Sequence, residues 1–131
     1  MINNANNIQE FMDKSKVASL MLECHKITEK DFIHYDNPFG FISALFYEVL
    51  GVLLNEDELL DSCGVDECIP GDIMILGNKD DPSNVLYVIV LGYINKCYVF
   101  YNQNENRVII AEDILVQNGY EFIKSVRVLG G

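Results

Sequence analysis

Basic side chains are scarce in this chain. Nine Lys and Arg stand against twenty Asp and Glu, which gives a formal charge of −11 at neutral pH. Such a surface repels phosphate backbones and argues against nucleic-acid binding. No apolar run approaches the roughly 18 residues of a membrane span, so a membrane role is not expected. The lead Met1-Ile2-Asn3-Asn4-Ala5-Asn6-Asn7 is polar and uncharged, unlike a signal peptide. The expected setting is therefore cytoplasmic or virion-associated. Recognised cofactor chemistry is missing as well, with no Gly-rich phosphate loop and no Ser in a nucleophile-elbow motif.

Metal and disulfide patterns are equally thin. Cys63 and Cys68 enclose Gly64-Val65-Asp66-Glu67, a wider separation than a metal knuckle, with no second pair or nearby His. Cys24 falls in a helical pattern and Cys97 in a strand, so all four cysteines read as thiols rather than disulfides. Asp57, Glu58, Asp61, Asp66 and Glu67 lack the spacing of a calcium loop and read as a solvated acidic face. No metal and no cofactor are expected.

Half of the 131 residues are hydrophobic, enough for one compact domain over residues 8–131 behind a flexible lead at 1–7. Apolar residues at Ile8, Phe11, Met12, Val17, Leu20, Met21 and Cys24 recur at three and four, predicting a helix over 8–27. Pro38 suits the first turn of a second helix, expected over 40–54 and apolar around most of its circumference. Glu56-Asp57-Glu58 opens a short acidic segment broken by Gly64. Beyond it the period changes to that of strands, at 73–76, 85–91, 97–101, 107–111 and 122–129, with one helical turn at 112–117. The run at 85–91 is unbroken and mostly β-branched or aromatic, as expected of a strand buried on both faces. Helices first and strands second give an α+β fold, N-terminal helices packed on an antiparallel sheet.

Three segments together suggest more. Asp36-Asn37-Pro38-Phe39-Gly40-Phe41-Ile42 leads into the second helix, Pro70-Gly71-Asp72 precedes the first strand, and Val126-Arg127-Val128-Leu129 closes the chain. With the strand ending Val90-Leu91-Gly92, this order resembles the NlpC-type, papain-like cell-wall peptidases from Tyr35 to Leu129. The resemblance implies a papain-like core. It also implies a Cys at the start of the helix, where dipole and free N–H groups stabilise a thiolate. A His on the strand and a third polar residue would complete the site. Aligning Gly40-Phe41 and Gly92 with the family pattern puts Pro38 and Leu86 at the first two positions, and a following turn two residues longer than the family's puts the third near Phe100. None of them titrates, so the resemblance implies a catalytically inactive scaffold, a protein-binding or structural module of a phage tail or bacterial envelope.

Two other readings stand beside it. A relocated thiol hydrolase would use Cys24 or Cys97 with His34. A small acidic viral protein would block a basic host surface. In either binding reading the partner is a protein, favoured electrostatically if basic. Tyr35, Phe39, Tyr87 and Tyr101 are the candidate contact residues, because tyrosine and phenylalanine bury area at low entropic cost.

Overall fold

A computed structural model describes residues 4–81, 84–92, 97–112 and 119–128. Among these residues three helices, α1 (Asn4–Thr28), α2 (Pro38–Leu50) and α3 (Glu56–Asp61), precede five strands. These are β1 (Ile73–Asn78), β2 (Val85–Gly92), β3 (Cys97–Asn102), β4 (Arg107–Glu112) and β5 (Tyr120–Val126). The sheet runs β4-β3-β2-β1-β5, with every neighbouring pair antiparallel. The α+β architecture expected from the sequence is present.

In α1, Leu20, Cys24 and Ile27 recur at four and three and are at most 4 % exposed. They face α2, whose Phe41, Ile42, Leu45 and Phe46 are all buried. Both helices pack on one side of the sheet, against Ile73, Ile75, Tyr87, Ile89, Val99 and Tyr101. Alternate strand residues point the other way, and Met74, Leu76, Leu86, Val88, Val90 and Tyr98 form a second buried cluster. The central strand β2 is buried on both faces from Leu86 to Leu91, which explains its unbroken apolar run.

Several boundaries differ from the sequence expectation. α1 begins at Asn4, four residues before the expected start at Ile8. α2 begins at Pro38 because Asn37, in extended conformation, caps it, its Oδ1 accepting the Gly40 N–H at 2.7 Å. It ends at Leu50 instead of residue 54. Gly51 adopts the left-handed region at φ 69°, and its N–H donates to the Tyr47 carbonyl at 2.9 Å. A glycine takes that conformation without the penalty a Cβ would bring, so the helix stops there although Val52, Leu53 and Leu54 continue the apolar pattern. β4 extends to Glu112, and the rest of the expected turn at 112–117 lies outside the described residues. β5 begins at Tyr120 and ends at Val126, which frees Arg127 for another role.

That role is to close the fold. Asp72, 1 % exposed, receives Arg127 Nε on Oδ1 at 3.0 Å and Nη2 on Oδ2 at 3.1 Å. Its Oδ2 also accepts the Ile69 N–H at 2.9 Å, while Arg127 Nη2 donates to the Glu67 carbonyl at 2.7 Å. Such partners offset the cost of taking a carboxyl group this far from water. The Pro-Gly-Asp turn and the C-terminal arginine are thus one structural unit, joined across 55 residues of sequence. Ser125, fully buried beside them, lies with its Oγ 2.9 Å from Cys68 Sγ.

Candidate functional site

The segment between α1 and α2 sets where α2 starts, and it is held by the β3–β4 turn. Asn106 in that turn has φ 53°, in the left-handed region that Asn tolerates better than most side chains. Its carbonyl accepts the Ile33 N–H at 2.8 Å. Its Oδ1 accepts from the Tyr101 hydroxyl and from His34 Nδ1, each at 2.9 Å. Gln103 Nε2 adds a bond to the Asp36 carbonyl at 3.0 Å. These bonds fix Asn37 and Pro38 against the ends of β2 and β3.

A hollow of about 360 Å³ lies at that junction. Pro38, Leu86 and Phe100 all line it, although they come from α2, β2 and β3. Asn78, Asn84, Asn102, Gln103 and Asn104 supply its polar groups, with Tyr101 and Tyr120 alongside. A second hollow of about 380 Å³ shares Pro38, Asn84 and Gln103 and extends past Phe39 to Glu56 and Tyr87. Its wall is fixed by the Tyr87 hydroxyl, which donates to Glu56 Oε2 at 2.7 Å, and by an edge-to-face contact between Phe39 and Tyr87 at 5.3 Å. Burial, and then the hydrogen bond to Glu56, push the Tyr87 hydroxyl far above the ordinary phenol range. The group is a neutral donor, unsuited to act as a base.

No family model matches the chain, and no curated protein is significantly similar to it. The chemistry of the site is therefore read from its own residues. Among the described residues, the lining of the first hollow contains no His, Cys, Asp, Glu, Lys or Arg; it is made of carboxamides, the phenols of Tyr101 and Tyr120, and apolar groups.

The candidates for a relocated site come from three segments: Cys24 from α1, His34 from the stretch between α1 and α2, and Cys97 from β3. Cys24 is fully buried in α1, and burial, with a smaller contribution from Glu23, pushes its thiol up to about 12. A thiolate there is strongly disfavoured, which opposes a nucleophilic role. His34 is exposed; its Nδ1 is engaged by Asn106 and its Nε2 lies 4.0 Å from Asp36 Oδ1. Cys97 starts β3, paired across the ladder with Gly92 and Glu112. The four cysteines are thiols rather than disulfides, and no group of three His, Cys, Asp or Glu side chains converges among the described residues. Among these residues, no helix is long and apolar enough to cross a membrane.

The four aromatic contact candidates split by depth. Tyr87 and Tyr101 are 2 % and 1 % exposed and belong to the core, their hydroxyls satisfied by Glu56 and Asn106. Tyr35 and Phe39 are half-buried, Tyr35 packing edge-to-face on Phe41 and Tyr101. Tyr101 lines the first hollow, and Phe39 and Tyr87 line the second. The carboxamides at 78, 84 and 102–104 were legible in the sequence only as turn formers. Their convergence on one hollow comes from the sheet, which brings the β1–β2 and β3–β4 turns to the same end.

Proposed function

We propose that this chain is a catalytically inactive relative of the NlpC-type peptidases, serving as a protein-binding or structural module of a phage tail or bacterial envelope. The observation that carries the reading is that Pro38, Leu86 and Phe100 all line one hollow. These are the positions that the resemblance assigns to nucleophile, base and orienting residue, and they come from three separate elements. On this reading the frame is retained while its titratable groups are replaced. Proline at the first turn of α2 offers neither a nucleophile nor an N–H donor, and leucine cannot exchange a proton.

Docking falls to the exterior, where Glu56, Asp57, Glu58 and Asp61 of α3 are exposed beside Asp66 and Glu67. Part of this charge also serves α3, whose acidic first turn complements the helix dipole. The rest favours a basic protein partner, with association that weakens as salt rises. The test of inactivity is direct. The purified chain, incubated with cell-wall stem peptides and with a thioester-forming probe, is expected to cleave none and to acquire no label at the hollow. Cleavage that disappears on substituting a residue lining the hollow would overturn the reading.

A further inference from the structure

In a chain of charge −11, the hollow at the end of the sheet is lined, among the described residues, without a single charged side chain. Its polar groups are primary carboxamides, and several are fixed in direction. Asn78 Oδ1 accepts the N–H groups of Asp80 and Asp81 at 2.8 and 3.3 Å. Asn102 Oδ1 accepts those of Asn104 and Glu105 at 3.0 and 3.3 Å. With both oxygens turned to the backbone, each side chain keeps its NH₂ as the group for a ligand. Gln103 is the reverse, since its Nε2 is bonded to Asp36 and its Oε1 is left to accept. Leu86, Phe100 and Tyr120 give the same hollow an apolar and aromatic wall.

Elimination narrows what fits. Among the described lining residues an anion would find no cation, and a cation would find no carboxylate. An extended peptide binds best by adding a strand to a free sheet edge, but β2 and β3, whose ends shape the hollow, are both interior strands. What remains is a compact, neutral molecule with hydroxyl groups that both donate and accept, and with an apolar face for the rings. The volume of about 360 Å³ suits a small ligand. We propose that this hollow binds an uncharged carbohydrate, one or two rings of a glycan, held by the Asn78 and Asn102 amides and stacked on Phe100. Binding of this kind does not depend on the loss of catalysis.

The test is a titration of the full chain, labelled with ¹⁵N, with maltotriose, cellotriose and N,N′-diacetylchitobiose, reading the side-chain NH₂ resonances. At least one sugar is expected to shift the Asn78 and Asn102 signals saturably. Asn78→Asp and Asn102→Asp keep the acceptor oxygen that each turn uses while removing the NH₂, so both should stay folded. Each should weaken binding by about tenfold, the worth of one hydrogen bond. The proposal is overturned if none of the three sugars shifts these resonances, or if both Asp variants bind as the native chain does. It is equally overturned if only a neutral peptide such as an alanine pentamer produces the shifts.

Discussion

Replacing Asp72 with Ala should cost more than any other single change of a polar residue. The substitution removes both bonds to Arg127 and the acceptor of the Ile69 N–H. Breaking a buried ion pair costs about 3–5 kcal/mol when one charge is left behind. Here the Arg127 side chain is 27 % exposed and can recover some hydration, so the lower end applies, about 3 kcal/mol. Arg127→Met leaves the buried Asp72 carboxyl with only the Ile69 N–H, and should cost a similar amount. In the double variant the penalties should overlap, with a coupling of about 1–2 kcal/mol. The chain has no Trp, so urea unfolding is best followed by far-UV circular dichroism, with unchanged m-values required for comparison. A cost below about 1 kcal/mol for Asp72→Ala, or simple additivity in the double variant, would refute the claim that this pair closes the fold.

Single residues carry further expectations. Because the Cys24 thiol is raised from 9.0 to about 12, the folded state holds its proton more tightly than the unfolded state. The associated stability is complete below pH 9 and is lost as pH rises toward 12. Between about pH 8 and 10 the native chain should lose about 1 kcal/mol more in urea unfolding than Cys24→Val, and parallel profiles would contradict this. Asn106→Ala should cost about 2–3 kcal/mol by straining a left-handed residue and orphaning the Tyr101 hydroxyl, while Asn106→Asp should be nearly neutral; thermal melting separates the two. Gly51→Ala meets no atom within 4 Å, so its cost is the backbone penalty alone, about 1 kcal/mol by the same measurement.

Local chemistry made part of this molecule readable. Strand periods placed the sheet, and Pro38 marked the start of α2. Gly51 was passed over because the apolar pattern continues through Leu54, and periodicity does not register a left-handed cap. The Asp72–Arg127 unit was hidden for a different reason. Each residue stood in a short motif, but only the sheet order, with β5 beside β1, brings them together. Tyr87 and Tyr101 looked like contact residues because their type is common at interfaces. Their burial depends on α2 covering the sheet, which no local pattern states. Asn102 and Asn106 read only as turn residues, yet one lines the hollow and the other ties His34 and Tyr101 together.

The proposal of an emptied peptidase frame is tested most directly by putting chemistry back. Pro38→Cys places a thiol at the first turn of α2, and Leu86→His adds an imidazole from β2. The alkylation rate of residue 38 as a function of pH, resolved by peptide mass spectrometry, gives the thiol pKa. An intact peptidase frame predicts a value below the ordinary thiol pKa of about 8.5 in the single variant. It predicts a further drop of about 1 unit or more when Leu86→His is combined with Pro38→Cys. A thiol that titrates like free cysteine, with no response to the introduced imidazole, would contradict it.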